Sequence, residues 1–374
     1  MKIFLVGGGT GGHFYPLIAV AEALRAQVPK DELQLAYIGP DAFEQSELDR
    51  VGIRYMWCPA GKVRRYISLF NVTDVFKMLF GVLVAFFKLL ATYPDVILSK
   101  GGYTSVPVVL AARMLRIPVV IHESDARMGR ANGLSVGYAK YIAVSYPHML
   151  EKLPKEKTAF VGIPARAGVR ASAVDEATAY ARFGIMDAQA PVVLVLGGSL
   201  GAENLNLLIM NSLDTLLPKY TLIHQTGRAH GEVIAEMARE LIIDTKLSPR
   251  YIMREYLSVE DMHAALEIAD VIISRAGSGA ISEIALHGKP SILVPIPETV
   301  SHDQLANAYA YADTGAALVL EEENAREHIL GSLLDDLVQN ATTYIQMSEA
   351  ARAFAHPDAA DKVAHALLSI AKKH

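Results

Sequence analysis

Short apolar runs recur along the chain, and most of them lead through a glycine-rich or polar loop into a segment of helical length. The runs occupy residues 2–6, 35–38, 96–98, 118–121, 192–196, 220–225, 251–256, 271–273 and 292–297. Apolar strands that alternate with helices are typical of βαβ units, in which helices cover both faces of a parallel sheet. The pattern therefore predicts an α/β fold built on parallel sheets.

The alternation is interrupted between residues 161 and 191, where a polar stretch of helical character ends at Phe183. A new strand then leads into the glycine loop Gly197–Asn204, which repeats the strand, loop and helix of the amino terminus. Because 374 residues exceed one ordinary core, we predict two similar α/β domains with a boundary in this interval. After Gly315 the pattern predicts only helices, as far as Lys373.

The composition is that of a well-packed globular protein, with 52% hydrophobic and 20% charged residues. The single cysteine, Cys58, excludes a disulfide framework and a cysteine-rich zinc site, and it fits a reducing cytoplasm. The amino terminus lacks the features of a signal peptide. A net charge of −5 argues against general nucleic-acid binding, but residues 1–165 carry 19 basic against 13 acidic side chains. This basic half is a candidate for contact with an anionic surface or substrate.

The first glycine loop, residues 7–13, precedes a helix predicted from Pro16 to Ala26. Its glycines satisfy the G-x-G-x-x-G fingerprint of dinucleotide-binding folds, which also expects an acid at the end of the second strand. Only Asp41 lies near that point, so NAD binding is a weak interpretation. His13 stands where the loop becomes the helix. It can act as a general base, since an imidazole with a pKa of about 6.5 is largely neutral at cytoplasmic pH, or it can simply cap the loop.

Two further polar loops of the first half also follow strands. Residues 100–105 follow the strand at 96–98, and His122-Glu123-Ser124-Asp125 follows the strand at 118–121. Ligands of open parallel sheets bind beyond the carboxyl ends of the strands, so we expect the loops to form one crevice. Alternatively, Ser124 and Asp125 cap the next helix.

The stretch from Ser274 to Ala308 contains a strand, a glycine loop at residues 276–279 and a helix predicted from Ala280 to His287. A turn of this kind directs unpaired backbone N–H groups and the positive end of a helix dipole outward, which suits a diphosphate. Glu283, one turn into the helix, can accept hydrogen bonds from a ribose diol. In the competing interpretation, Glu283 is only an acid favoured by the dipole and the glycines only form a turn.

The segment Val75–Ala91 is almost entirely apolar, with Lys77 and Lys88 at the flanks of its core. Its uninterrupted apolar core is shorter than the roughly 20 residues that a membrane span needs. The sequence leaves two interpretations open. The segment is either a helix that lies in a membrane interface or a core helix that is apolar all round.

The motifs resemble those of the MurG family of glycosyltransferases, within glycosyltransferase family 28. In chain order they are Gly8–His13, Gly101–Tyr103, His122-Glu123, Gly197–Ala202, Ser282–Ile284, Gln304 and Asn307. The resemblance implies a GT-B fold of two Rossmann-like parallel-sheet domains that face a cleft. It implies an inverting transfer of GlcNAc from UDP-GlcNAc to the muramyl 4-hydroxyl of undecaprenyl-diphosphate-MurNAc-peptide (lipid I), which forms lipid II in peptidoglycan synthesis.

The resemblance also implies an organisation of the chain. Residues 1–163 would form the acceptor- and membrane-facing domain, residues 164–350 the UDP-sugar domain, and residues 351–374 a helix that crosses back to the first domain. The enzyme would be peripheral, on the cytoplasmic face of the cell membrane. Other proteins of cell-wall synthesis are among the partners that the resemblance allows.

Site residues follow from the matching positions. His13 is the first candidate base and Glu123 the second. Substrate contacts are implied for Thr10, Gly11, Gly12, Asp125, Asn132, Arg166, Ser199, Leu257, Ser278, Gly279, Ala280, Ile281, Ser282, Glu283, Gln304 and Asn307. Among them, Glu283 would hold the ribose and Leu257 the uracil. Ser124-Asp125 departs from the Gln-Asn of many family members, and Ile163 from a usual Asn.

No D-x-D-like pair lies near the donor loops, so we expect neither a metal nor a cofactor. Three alternatives use the same architecture or the same ligand. They are a UDP-GlcNAc 2-epimerase, a diacylglycerol glycosyltransferase and a non-catalytic nucleotide-sugar-binding subunit.

Overall fold

The computed structural model describes residues 1–61, 70–166, 174–185, 190–198, 202–300 and 303–373. The chain divides into two units. Unit 1 comprises Met1–Ala167 and His356–His374, and unit 2 comprises Gly168–Ala355.

Within its described residues, unit 1 contains a sheet of seven parallel strands. They are β1 (Lys2–Val6), β2 (Gln34–Gly39), β3 (Ile53–Trp57), β4 (Val96–Ser99), β5 (Val119–Glu123), β6 (Tyr141–Val144) and β7 (Thr158–Phe160). Their order across the sheet is β3-β2-β1-β4-β5-β6-β7. Val6 pairs with Ile38 on one side and Ser99 on the other. The direction in which successive strands are added reverses between β1 and β4, and doubly wound sheets bind ligands at such a point.

Helices connect these strands. They are α1 (Gly11–Gln27), α2 (Gln45–Val51), α3 (Phe70–Thr92), α4 (Val106–Met114) and α5 (Arg130–Ser135). α1 buries Leu17, Val20 and Leu24 in the core that it shares with β1 and β2. α2 ends at Gly52, whose left-handed conformation (φ 71°) lets the chain turn directly into β3.

Unit 2 repeats this architecture. The strands that the structure describes here are β8 (Val192–Leu196), β9 (Thr221–Gln225), β10 (Tyr251–Arg254), β11 (Val271–Ser274), β12 (Ser291–Leu293) and β13 (Ala317–Val319). They pair in parallel in the order β10-β9-β8-β11-β12-β13, with the reversal between β8 and β11. Every residue of β8 is buried, because helices cover both faces of the sheet, and this explains its uninterrupted apolar sequence.

The helices of unit 2 complete its two hydrophobic cores. They are α6 (Glu176–Phe183), α7 (Glu203–Asn211), α8 (Leu213–Leu216), α9 (Gly231–Leu241), α10 (Val259–Ile268), α11 (Ser278–Leu286), α12 (Gln304–Ala312), α13 (Glu327–Gln339) and α14 (Ala341–Phe354). α10 begins with a capping box, in which Ser258 and Asp261 satisfy each other's backbone N–H groups.

The last helix, α15 (Ala359–Ala371), packs against α1 within unit 1. Its buried Val363 and Leu367 belong to the same hydrophobic core as Leu17 and Leu24. The segment that leads to α15 is anchored by His356, whose ring meets that of Phe160 with centroids 4.6 Å apart. The carboxyl terminus is therefore structurally part of the amino-terminal unit.

Several predicted boundaries are wrong. α1 begins at Gly11 rather than Pro16, and β5 includes His122 and Glu123 instead of ending before them. α11 begins at Ser278, so Ser278 and Gly279 belong to its first turn. The region after Gly315, predicted to be helical throughout, contains β13. β3, β6, β7 and β13 were not predicted, because three to five residues are too few to show a strand period.

α3 has one packed face and one exposed apolar face. Ala85 and Leu89 are fully buried, and the helix packs closely against α4. Among its described residues, seven large apolar side chains are more than half exposed: Val75, Phe76, Leu79, Phe80, Leu83, Phe87 and Leu90. The interpretation of α3 as a core helix is therefore wrong. By length and composition, Thr73–Thr92 is a candidate membrane span, with only 17% of its most apolar stretch buried.

Replacement of Leu367 by Ala tests the attachment of α15. The fully buried side chain would leave a cavity in the core, and we expect the free energy of unfolding of unit 1 to fall by about 3 kcal/mol. Trp57, the only tryptophan, lies in β3 of unit 1, so its fluorescence during urea unfolding reports on this unit. His365→Ala, at an exposed position of the same helix, is the matched control. An unchanged Trp57 transition in Leu367→Ala would contradict the packing of α15 in this core.

Candidate active site

Polar groups of unit 1 gather at the carboxyl ends of β1, β4 and β5, which are adjacent strands. The loop after β1 depends on glycine. Gly7 has φ 151°, and a Cβ added to it would lie 2.7 Å from the Cβ of Lys100. Gly9 has φ 90° and lies against the ring of Tyr103. These close approaches bring the loop after β4 directly onto the loop after β1.

The amino terminus of α1 presents free backbone donors at this edge. Thr10 is the N-cap residue, but its side chain does not accept a hydrogen bond from the helix backbone. The amides of Gly11 and Gly12 have no acceptor within the described part of the chain. Together with the dipole of a 17-residue helix, these N–H groups favour an anion.

His13 lies in the first turn of α1, and its ring is held in place from two sides. Its Nδ1 lies 2.8 Å from the Thr10 hydroxyl oxygen. Its ring carbons lie 3.7 Å from the position that a Cβ of Gly102 would occupy. When Nδ1 carries the proton and donates it to Thr10, the lone pair of Nε2 is left to accept a proton.

The surroundings of His13 keep its imidazole uncharged. Burial and then the positive charge of Lys100 lower the pKa of His13 to about 4, whereas Asp125 acts to raise it. The ring is therefore neutral at cytoplasmic pH and can accept a proton, but it is a weaker base than a free histidine.

Glu123 is enclosed and fully engaged in hydrogen bonds. Its carboxylate accepts from the backbone N–H groups of Asp125 (3.2 Å) and Gly129 (2.9 Å) and from Asn132 Nδ2 (3.0 Å). Burial, followed by the charge of Asp125, raises the pKa of Glu123, while Lys100 and these hydrogen bonds act in the opposite direction. The arrangement orders the segment after β5 and leaves the carboxylate little freedom to act as a base.

Asn132 and its neighbours complete this segment. Asn132 is 2% exposed, and its Nδ2 also donates to the backbone oxygen of His122 (3.1 Å). The expected N-cap role of Ser124 and Asp125 is wrong, because α5 begins at Arg130 with Gly129 as its N-cap. Glu123, rather than a serine or aspartate, satisfies the N–H group of Gly129.

Unit 2 presents a second set of backbone donors, at the start of α11. Gly277 is the N-cap residue and makes no side-chain cap. The backbone bond from Ile281 N to Gly277 O (3.0 Å) closes the first turn. Ser278, Gly279 and Ala280 precede it, and their amides find no acceptor in the part of the chain that the structure describes. Glu283 follows on the same helix and is partly exposed.

α12 is attached beside this turn by its two amide side chains. Asn307, 1% exposed, donates from Nδ2 to the backbone oxygen of Ala276 (3.3 Å). Gln304 Oε1 accepts from the backbone N–H of Ile296 (3.2 Å), in the loop after β12. The two residues thus lie at the carboxyl ends of β11 and β12, next to the amides of α11.

Two charged residues were missed by the sequence analysis. Lys100 follows β4 and is 3% exposed. Arg275 follows β11, is 8% exposed, forms an ion pair with Glu322 and donates from Nη1 to the backbone oxygen of Val294 (2.9 Å). Each adjoins a recognised glycine loop, which is the one sequence signal that marked them. Their burial depends on strands that are distant in sequence.

Models of two glycosyltransferase domains match the chain. The Glycosyltransferase family 28 N-terminal domain matches residues 3–144, and the Glycosyltransferase family 28 C-terminal domain matches residues 192–363.

Relatives extend this likeness over nearly the whole chain. The UDP-N-acetylglucosamine--N-acetylmuramyl-(pentapeptide) pyrophosphoryl-undecaprenol N-acetylglucosamine transferase of Shouchella clausii is 37% identical over 355 residues, which cover 94% of this chain and 95% of the relative. The transferase of the same name from Lachnoclostridium phytofermentans is 35% identical over 364 residues, 97% of each chain. The chain belongs to the MurG family of glycosyltransferases.

Solved structures agree with the membership of the MurG family. The MurG of Acinetobacter baumannii superposes with a TM-score of 0.73 at 26% identity and covers 98% of this chain and 99% of its own. A UDP-GlcNAc 2-epimerase from Neisseria meningitidis reaches a TM-score of 0.70 at 14% identity, with 99% of this chain and 100% of the epimerase covered. The second likeness shows the fold alone. The GT-B fold of two Rossmann-like units is thereby confirmed.

The remaining positions that resemble MurG sites have different surroundings. Leu257 is 2% exposed and lies after β10, at the edge of the unit 2 sheet. Arg166 belongs to unit 1, where its guanidinium lies 4.4 Å from the centre of the Tyr15 ring. Ser199 lies outside the described residues. No group of three or more His, Cys, Asp or Glu suited to a metal occurs among the described residues.

Proposed function

We propose that this enzyme transfers GlcNAc from UDP-GlcNAc to the muramyl 4-hydroxyl of undecaprenyl-diphosphate-MurNAc-peptide (lipid I) and so forms lipid II. The observation that carries the proposal is the extent of the likeness. Relatives that are 33–37% identical over 92–97% of this chain are all named for a transfer of N-acetylglucosamine to such an acceptor.

The donor binds to unit 2 in this proposal. The amides of Ser278, Gly279 and Ala280, with Ile281 closing the turn, hold the diphosphate at the amino terminus of α11. Ser282 and Glu283 follow, and Glu283 accepts hydrogen bonds from the ribose hydroxyls.

Four further residues complete the donor site. Gln304 and Asn307 contact the sugar, since the hydrogen bonds of α12 place both beside the start of α11. Leu257 binds the uracil through its backbone. Ser199 and Arg166 are the remaining proposed donor contacts, on the strength of their positions in the MurG family.

The acceptor binds to unit 1, beside His13 and the free amides of Gly11 and Gly12. His13 Nε2 takes the proton from the acceptor hydroxyl as its oxygen attacks the anomeric carbon of the α-linked donor. The new bond forms on the face of the sugar opposite the bond to the diphosphate. That bond breaks, and UDP leaves with its electron pair. Thr10 orients the imidazole through Nδ1, as the distance of 2.8 Å supports.

Glu123 acts by positioning rather than as the base, because three N–H groups already occupy its carboxylate. Asn132 supports it, and Asp125 opposes the positive charge of Lys100 at His13. The leaving diphosphate is stabilised by the backbone N–H groups of α11, without a cation.

The exposed face of α3 is the proposed membrane-docking surface. Its seven exposed apolar side chains enter the interface while the opposite face stays packed on α4. A helix with one face covered by its own domain suits the surface of a membrane better than its interior. The enzyme is thus proposed to be peripheral, on the cytoplasmic face of the cell membrane, where a lipid-linked acceptor is found.

Incubation with UDP-GlcNAc and a lipid I analogue tests the activity. We expect equal amounts of UDP and a β-linked disaccharide, at a rate that EDTA changes by less than about twofold, since helix N-termini replace a metal ion. A UDP-GlcNAc 2-epimerase would instead produce free ManNAc or an epimerised donor, and it would leave the acceptor unconsumed. Complete loss of transfer in EDTA and recovery with magnesium would contradict the metal-free mechanism.

His13→Ala tests the general base. Loss of proton transfer should lower kcat by about 10²- to 10⁴-fold. The Kd for UDP-GlcNAc, measured by calorimetry, should stay within about twofold, because unit 2 holds the donor. His365→Ala, an exposed histidine of α15, is the control. Unchanged kcat in His13→Ala would remove His13 from the mechanism.

The double variant Leu83→Glu/Phe87→Glu tests membrane docking. Two charges on the exposed face of α3 should abolish flotation with anionic liposomes, because carboxylates enter neither the apolar interface nor a negative surface. Transfer to a water-soluble acceptor analogue should persist. The control is Leu207→Glu, a partly exposed apolar position on unit 2. Flotation equal to that of the unmodified protein would argue against docking through α3.

A further inference from the structure

Lys100 is a buried cation at the point where the strand order of unit 1 reverses. Its backbone N–H donates to Val6 O (2.8 Å) and so extends the pairing of β4 with β1 by one residue. Its Cβ lies against Gly7, and Gly102, two residues later, lies against the His13 ring. Only 3% of Lys100 is exposed. The side chain therefore lies beneath the proposed acceptor site rather than at its rim.

No carboxylate of the described residues forms an ion pair with Lys100. The acids that act on it electrostatically are Glu123 and Asp125, and burial outweighs both, so that the pKa of Lys100 is lowered. Glu123 spends its hydrogen-bonding capacity on Asp125 N, Gly129 N and Asn132. An enclosed ammonium without a paired acid is unfavourable for stability, so an anion bound beside Lys100 would favour its charged form.

A second, independent feature at the same place favours an anion. The amino terminus of α1 directs the unpaired amides of Gly11 and Gly12 toward this crevice, and the Thr10 hydroxyl, which would ordinarily cap the helix, is bonded to His13. A helix N-terminus and a buried cation together suit a diphosphate. The acceptor of the proposed reaction carries a diphosphate.

His13 experiences the charge of Lys100 directly. The charged groups that act on its ring are Lys100, which lowers its pKa, and Asp125, which raises it, and Thr10 is its hydrogen-bond partner. His122, on β5, is also affected by Lys100, but its Nε2 is bonded to Gly162 O (2.9 Å) within the core. Burial of the ring is the largest cause of its low pKa and Lys100 adds to it, so the imidazole is a poor proton acceptor unless an anion lies beside Lys100. An anion beside Lys100 would compensate the field and make His13 more basic.

We propose that Lys100 is a positioning residue that couples arrival of the acceptor diphosphate to proton transfer by His13. Until the diphosphate neutralises Lys100, His13 accepts protons weakly, so water is not activated and the donor is protected from hydrolysis. Once the anion is bound, the same imidazole accepts the proton of the sugar hydroxyl. The inference rests on the proposed function, since it assumes His13 as the base.

Titration of His13 by NMR tests the coupling. The full-length protein is labelled at histidine Cε1, the His13 signal is assigned by its absence in His13→Gln, and inorganic pyrophosphate is the probe. Between pH 5 and 8 the unmodified protein should show a neutral His13. Addition of pyrophosphate should raise the pKa of His13 by about one unit or more, so that His13 begins to titrate in this range. Without pyrophosphate, the pKa of His13 should be higher in Lys100→Met than in the unmodified protein, although burial of the ring still lowers it. Lys100→Arg should keep the behaviour of the unmodified protein.

Kinetics supply the second measurement. Lys100→Met should shift the acidic limb of the pH profile of kcat upward by about one pH unit, because the bound diphosphate is then no longer balanced by the lysine. It should also raise the rate of UDP-GlcNAc hydrolysis in the absence of acceptor about tenfold. A merely structural lysine would lower kcat equally at every pH. Lys100→Gln is a second neutral variant should Lys100→Met fold poorly.

The outcomes separate the two proposals. If His13→Ala abolishes transfer while neither pyrophosphate nor Lys100→Met alters the His13 titration, the coupling is refuted and the base stands. If His13→Ala transfers normally, the proposed base fails, and the coupling fails with it. If the titration responds but the pH profile of Lys100→Met equals that of the unmodified protein, Lys100 affects His13 without a part in the reaction, which also refutes the inference.

Discussion

Parallel pairing of β1 with β4 brings two glycine loops onto each other, and the chemistry proposed for unit 1 depends on that contact. The pairing places the carboxyl ends of both strands at one edge, and the next residues are Gly7 and Lys100. A side chain at Gly7 would collide with the Cβ of Lys100. Because the backbone can approach so closely, His13, Lys100 and Glu123 share one electrostatic environment instead of lying on three separate loops.

The two units present backbone N–H donors at the carboxyl edges of their sheets in the same way. In each, the loop after a central strand leads into a helix whose N-cap residue makes no side-chain hydrogen bond to it. Within the described residues this leaves the first amides without acceptors, at Gly11 and Gly12 in unit 1 and at Ser278 to Ala280 in unit 2. Backbone donors of this kind are fixed by the helix and need no reorganisation when charge arrives. The difference lies in the side chains, because among the described residues the unit 1 edge has a histidine, His13, that feels the charge of the buried Lys100.

Two helices that do not contribute loops to the carboxyl edges of the sheets, α15 and α3, have other structural roles. α15 returns the carboxyl terminus to the core of unit 1, where Val363 and Leu367 pack with α1, the helix that carries His13. α3 packs on α4 with one face and leaves the other apolar and uncovered. A globular protein that keeps so continuous an apolar surface in contact with water forgoes favourable burial, and a membrane interface would recover it.

Local patterns in the sequence were sufficient to predict the strands at the centre of each sheet, since a strand buried on both faces must be apolar throughout. They were sufficient to predict the glycine loops and to recognise the motifs of the MurG family, from which His13 and Glu283 are proposed as site residues. Short strands such as β7 and β13 escaped because three residues show no period. The difference in hydrogen bonding between His13 and Glu123, the burial of Lys100 and the exposure of α3 were decided only by tertiary structure. Burial and charge at a residue depend on groups that distant strands bring to it, and no local pattern records those neighbours.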